Sequence, residues 1–455
     1  MSHDQHTDDL TAPTPAMTEI SRRRFLGNAT AAVGAAAIPS NVALRSLAAQ
    51  VPATPTTATV APGANPTPTP TPTPTAAAPG SGILVLVTLY GGNDGIGTVV
   101  PFTDSAYYAG RGALAIQPAE VLPLDGQFGL NPALKGVKAL WDAKRVAIVR
   151  GVGYPNPSRS HFRSMDIWQT AVPETSTPYG WLGRWFDATG PDPIRMVAMG
   201  TSVPRAMVAT KGAGAALPTG RVQLPGNQNL AGAYADLARG AGTPTLGPWG
   251  SRLAGSAADL LRVQATFGPI VNAGAKAAAV GASASLEGGA VANGDAVKSQ
   301  LQVELEEVAM LIKAGVPTRV FSVGLGGFDT HANEKDAHAR LLGALDTALS
   351  SFARQLEGDP RGAAVTVVVY SEFGRRVAAN LSDGTDHGTA APVIVLGPAV
   401  KGGFYGDPPS LTDLDQGDLK FTTDFRSVYA TVLGQTLGID PGAVLGKSFA
   451  ALPFL

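Results

Sequence analysis

The 455-residue chain sets 34 Lys+Arg against 35 Asp+Glu, a formal net charge of -1, and contains no cysteine. With no long basic cluster past the first residues, that balance excludes nucleic acid as an expected partner. The lack of cysteine excludes disulfides and thiolate chemistry.

The first predicted element is an export signal. Ser21-Arg22-Arg23-Arg24-Phe25-Leu26 precedes a mild apolar stretch from Ala31 to Leu44, broken by Gly34 and Pro39. Consecutive arginines, Phe-Leu and a short Ala-rich run predict a twin-arginine signal over residues 1–50. The run is too short and too weakly apolar for a membrane span, which needs about 20 strongly apolar residues. The small residues around Leu47-Ala48-Ala49 suggest a cleavage site. The expected location is extracytoplasmic (periplasmic, cell-surface or secreted), and the expected export partner is the twin-arginine translocase.

Residues 51–81 follow as a linker, with a strict Pro-Thr alternation from Pro66 to Thr75. Each proline fixes φ and removes a donor, so an extended, disordered spacer is expected. Residues 81–455 are then long enough for one large α/β core or two smaller domains.

Within that part, Ile83 to Leu89 is an apolar run ending in Tyr90-Gly91-Gly92-Asn93-Asp94-Gly95, which predicts a strand buried on both faces and a tight turn. Similar runs lie at Val146–Val149, Met196–Met199, Val320–Val323, Val365–Val369 and Val393–Leu396. Helical patterns cover residues 134–142, 161–171, 252–266, 297–314, 335–356 and 424–437. The alternation predicts an α/β fold, with a mainly parallel central sheet and helices on both faces. Residues 271–296, rich in Ala and Gly, predict a loose insertion.

In such sheets ligands gather beyond the carboxyl ends of the strands. Asn93-Asp94 follows the first strand, and Ser158-Arg159-Ser160-His161 the second. Asp329-Thr330-His331 follows the Val320 strand, and Ser371-Glu372-Phe373-Gly374-Arg375-Arg376 the Val365 strand. Asp386-His387-Gly388 precedes the Val393 strand. Of six histidines, two lie in the leader, and three of the other four fall in these loops. Carboxylates and imidazoles so gathered suit zinc, manganese, magnesium or calcium, as one or two ions. Asp329 and His331, one residue apart, can face the same way in an extended loop, and Asp386-His387 can do so only in a turn. Two metals could activate a hydroxyl and clamp a phosphoryl or sulfuryl group. Ser158 and Ser160 are candidates for that hydroxyl, Ser160 also being placed as a helix N-cap. Arg159 and Arg163 add positive charge at the helix start. Arg375 and Arg376 read more readily as partners of surface carboxylates. His338 reads as a solvated helix residue, Asn131 as a turn residue and Trp168 as core.

Taken together, Leu89-Tyr90-Gly91-Gly92-Asn93-Asp94-Gly95, Pro157-Ser158-Arg159-Ser160-His161-Phe162, Gly327-Phe328-Asp329-Thr330-His331, Ser371 to Arg376 and Asp386-His387-Gly388 resemble the bacterial family of unknown function numbered 1501, over roughly residues 82 to 440. The family is placed in the alkaline phosphatase-like superfamily with sulfatases and phosphomutases. The resemblance implies an alkaline phosphatase-like three-layer sandwich over residues 82–455 and a metal site. Asp94, Asp329, His331, Glu372, Asp386 and His387 would supply the metal shell. Phe373 stands where the phosphatases have a histidine, and Pro155 where sulfatases have their nucleophile, so no formylglycine can form. Ser160, Ser158 or a metal-bound water would then be the nucleophile, Arg159 would steady the anion, and His161 would lie at the catalytic loop. The expected function is a metal-dependent hydrolase of phosphate or sulfate esters, acting on an anionic small molecule or glycan. The alternative is a degenerate metal- or anion-binding protein of the cell envelope, with envelope proteins as partners.

Overall fold

The structure is a computed structural model that describes residues 81–224, 228–241, 247–287 and 298–455. The expected signal and nearly all of the Pro/Thr linker lie outside the described residues.

The main strands, in chain order, are β1 (Ile83–Leu89), β2 (Val146–Gly153), β3 (Met196–Met199), β4 (Ala215–Leu217), β5 (Val320–Leu325) and β6 (Val365–Ser371). They are followed by β7 (Arg375–Ala379), β8 (Thr385–His387), β9 (Ala391–Leu396), β10 (Gly403–Tyr405) and β11 (Thr423–Asp424). Nine of these form one sheet, in the order β10-β2-β9-β6-β1-β5-β3-β4, with β11 also on β2. Every pairing is parallel except those of β9, which runs antiparallel to β2 and β6. β7 and β8 form a separate antiparallel hairpin.

All seven residues of β1 are buried. Its odd residues, Val85 and Val87 among them, pack into one core with Trp141, Phe267, Leu305 and Leu349. Its even residues, Leu84 and Leu86, pack into another with Trp168, Trp181, Trp185 and Phe425. Period-2 alternation thus feeds two cores, and each fully buried Val or Leu contributes about 1.5–3 kcal/mol. The result is the expected three-layer α/β arrangement, with helices on both faces of a mostly parallel sheet.

The helices that matter to the site are α1 (Gly95–Thr98), α2 (Ser105–Arg111), α3 (His161–Thr170), α4 (Gly247–Glu287), α5 (Gln300–Lys313) and α6 (Glu334–Gln355). α4 corrects one expectation: the Ala/Gly stretch from residue 271 is helical to Glu287, and residues 288–297 lie outside the described residues. Alanine is the strongest helix former, and here it outweighs the glycines. Trp168 is core and Asn131 is a turn residue, as read; Asn131 accepts from the Ala133 N–H and donates to the Gly97 carbonyl. Among the described residues, no helix is long and apolar enough to cross a membrane.

Candidate metal centre

Register decides where the loops emerge. Leu89 of β1 pairs with Leu325 of β5 and with Ser371 of β6, so three central strands end at one level. Gly91 to Asp94, Phe328 to His331 and Glu372 therefore leave the sheet side by side. Gly91 has φ +119, and a Cβ there would lie 2.4 Å from the Asp329 nitrogen. Only glycine lets these two loops approach so closely. In the β7–β8 hairpin Arg375 pairs directly with His387, so both side chains share one face.

Arg375 joins these pieces. Its side chain is fully buried and donates to the carbonyls of Gly91, Gly92, Phe328 and Thr385 and to Asp329 Oδ1, the last at 2.7 Å. The surface-pairing expectation for Arg375 is thus corrected, because four backbone carbonyls at strand ends need a donor and the guanidinium supplies it. Arg376 does pair with a carboxylate, Asp418.

Around Asp329 stand three imidazoles. His387 Nε2 and His331 Nε2 each lie 3.0 Å from Oδ1, and His161 Nε2 lies 3.4 Å from Oδ2. His387 Nδ1 donates to the Arg159 carbonyl at 2.9 Å, which leaves the Nε2 lone pair facing the cluster. His161 Nδ1 donates to Glu372 Oε1 at 2.9 Å, and its Nε2 is buried without a hydrogen-bond partner. The Nε2 atoms of His331 and His387 face each other at 2.9 Å. Lone pairs converging on a carboxylate, with one nitrogen orphaned, fit a divalent cation of the zinc or manganese type. Ligand atoms of His161, Asp329 and His387 lie within 4.8 Å of one another, and the Nε2 of His331 closes in beside them.

Burial alone would raise the Asp329 carboxyl, but the hydrogen bond and charge of Arg375 outweigh it and hold the group down to about 2. Glu372 is buried and accepts from the Gly91 N–H as well as from His161, so it orients a ligand from behind rather than facing the cluster itself.

The other expected site residues lie apart from this group. Asp386 sits in a strand, not a turn; its oxygen is 3.6 Å from His331 Nδ1, on the far side of that ring from the cluster. Alternation along β8 separates it from its neighbour His387. The Arg159 guanidinium is turned to Asp418 at 2.5 Å, and only its backbone carbonyl reaches the site. Ser160 occupies the N-cap position without a side-chain cap bond, and lines the cleft beside His161. Ser158 accepts from the Ser160 N–H and lines a different cleft, with Asp418 and Phe421. Phe373 packs its ring 4.9 Å from both His161 and His387.

Asp94 is not gathered into the cluster. Arg111 grips it with two hydrogen bonds, 2.6 and 2.8 Å, in a buried group with Glu334 and His338. Burial would raise its carboxyl, but the charges of Arg111 and His338 hold it below the usual range. His338 corrects its surface reading: it is 4% exposed, and burial pushes its imidazole down to about 4. Charged residues flank it in sequence, but helical periodicity turns its face inward. Burial first, and then the charge of Asp94, push the Glu334 carboxyl up to about 8. Nothing in the sequence near Glu334 singled it out; the one usable signal was its i,i+4 spacing to His338.

A pH test follows for the metal-free protein. Between about 4.5 and about 8 the folded state holds a proton on Glu334 that the unfolded chain releases. This contribution to stability is complete below the lower value and is lost as pH rises through the upper one. Urea midpoints should fall across that window in the native protein and flatten in Glu334→Gln. Equal slopes in the two proteins would refute the assignment.

A cleft of about 830 Å³ opens beside the cluster, lined by Tyr90, Ser160, Phe162, Arg163, Arg205 and Asp329 among others. Arg163 and Arg205 share the carboxylate of Asp166 on one wall, and Asp329 and Glu372 also line the cleft.

No curated protein matches the chain. Among solved structures it is similar to a protein of the alkaline phosphatase superfamily from Vibrio parahaemolyticus, with 11% identity and a TM-score of 0.37, covering 82% of this chain and 72% of that one. It is also similar to the C-terminal periplasmic domain of EcEptC from Escherichia coli in complex with Zn, at 9% identity, TM-score 0.32, 70% of this chain and 74% of that one. For the lipoteichoic acid synthase LtaP from Listeria monocytogenes the figures are 9%, 0.32, 80% and 76%. Residues 286–451, which hold Asp329, His331, Glu372, Asp386 and His387, match the model of DUF1501, described as a protein of unknown function.

Proposed function

We propose that this chain is an exported, metal-dependent hydrolase of phosphate or sulfate esters. The observation that carries the reading is the convergence of imidazole Nε2 atoms on the Asp329 carboxylate at the floor of an open cleft. His161, His331, His387 and Asp329 would hold one divalent cation. Bound there, it would supply Lewis-acid polarisation of the ester and acidify a water. The chain's own groups do the rest. The Arg159 carbonyl and Glu372 fix the tautomers of His387 and His161. Arg375 keeps Asp329 ionised and in place. Arg163 and Arg205 attract the anionic substrate to the cleft, and the Ser160 hydroxyl on its wall is the protein's candidate nucleophile. The export route rests on the arginine motif and the apolar run after it, with the translocase as transient partner.

Phe373, packed against two of the histidines, favours one cation over two, and a binding role is the reading that remains if turnover fails. The test is the metal content of the exported protein purified without chelator, followed by turnover of nitrophenyl phosphate and nitrophenyl sulfate with added zinc or manganese. Bound metal with turnover supports the hydrolase. Bound metal without turnover on any ester leaves the binding role, and a cluster that takes up no metal overturns the hydrolase and leaves only anion binding.

A further inference from the structure

Away from the exposed cluster, Asp94, Glu334 and His338 each turn a ligand atom into one buried spot, all within 4.8 Å of one another. The three residues are 4%, 2% and 4% exposed. Glu334 and His338 lie one turn apart at the start of α6 and therefore share a face. Asp94 comes from the turn after β1. Gly97 packs closely against the spot, where a Cβ would sit 2.2 Å from Asp94 Oδ2 and 3.4 Å from His338 Cε1.

The polar atoms here are not closed among themselves. Glu334 Oε2 accepts from the Thr385 hydroxyl at 2.6 Å, but Glu334 Oε1 is buried with no partner. A buried unpaired carboxylate oxygen is costly and calls for an occupant. His338 Nε2 donates to Asn93 Oδ1 at 2.9 Å, the kind of outer bond that orients a ligating imidazole and leaves Nδ1 to offer. Arg111 donates to both Asp94 oxygens and the Gly97 N–H also bonds that carboxylate, while among the described residues no cationic side chain forms an ion pair with Glu334. Two carboxylates and an imidazole make a donor set for zinc or manganese.

We propose that Asp94, Glu334 and His338 form a second, buried divalent-cation site, separate from the histidine cluster around Asp329. Its role is to hold the turn after β1 against the start of α6. Thr385 connects the two sites: its hydroxyl donates to Glu334 and its carbonyl accepts from Arg375, which grips Asp329.

The full chain, stripped of metal, is titrated calorimetrically with Zn²⁺ or Mn²⁺ alone, and retained metal is measured after desalting. The double variant Asp329→Ala/His387→Ala, which lacks the exposed cluster, should still retain one equivalent and show a rise in Tm on adding metal. Glu334→Gln should lose that equivalent while keeping the exposed one. His338→Gln serves as the second variant should Glu334→Gln fail to fold. A double variant that retains no metal, as expected if only a buried water fills the spot, overturns the proposal whatever the single variants do. So does unchanged stoichiometry in folded Glu334→Gln. Because the double variant reports on the buried site alone, failure of the hydrolase reading leaves this result untouched.

Discussion

Asp329→Ala should strip the exposed cluster of its cation and abolish ester hydrolysis while leaving the fold intact. The carboxylate touches Arg375, His331 and His387, so no other single change removes as much of the cluster. Loss of an outer partner of a ligand typically costs ~10–100-fold in metal affinity or activity, and loss of the carboxylate itself should exceed that. Stability should fall by only ~1–3 kcal/mol, the worth of one charge-assisted hydrogen bond. The side chain is 49% exposed, and Arg375 retains its four carbonyl acceptors. Elemental analysis and circular dichroism check both halves. A variant with native metal content at this cluster would sink the assignment.

Arg375→Met should have the opposite profile, in which stability fails first. The substitution removes a buried guanidinium on which four strand-end carbonyls and Asp329 depend. Breaking a buried pair of this kind costs about 3–5 kcal/mol, because the partners stay behind unsatisfied. Arg375→Lys should recover little, since one ammonium cannot span acceptors set out for a planar fork. Urea denaturation reads the loss directly. A shift within the ordinary range of a surface substitution, about 0.5 kcal/mol, would show that Arg375 is not the joint between the loops.

Both predictions turn on residues whose sequence signals differed in quality. Asp329 and His331 were visible because they follow an apolar strand in a loop with a one-residue spacing. Arg375 is visible only as one of two adjacent arginines after a strand, a pattern that points both to surface carboxylates. What separates them is register: Arg375 lies opposite His387 in the hairpin and points inward, while its neighbour Arg376 points to Asp418. Arg159 shows the same limit. Its position in the chain was right, but the working atom is its carbonyl, and no side-chain pattern encodes that.

The sequence by itself determined the α/β class, six strands of the central sheet to within a few residues, and most of the loops from which the exposed cluster is built. Those features are local: apolar periodicity, strand length and polar residues after a strand are all written in neighbouring positions. Tertiary structure decided which loop residues meet. It brought His161, from the Ser158 loop, against Asp329 and His387, and left Asp94 with Arg111 in a separate buried group. It also drew His338 and Glu334 out of a charged helical run into the interior. Such choices depend on strand register, on close backbone approach at Gly91 and on which helix face is covered. Each is set by contacts between residues far apart in the chain, so no local pattern carries them.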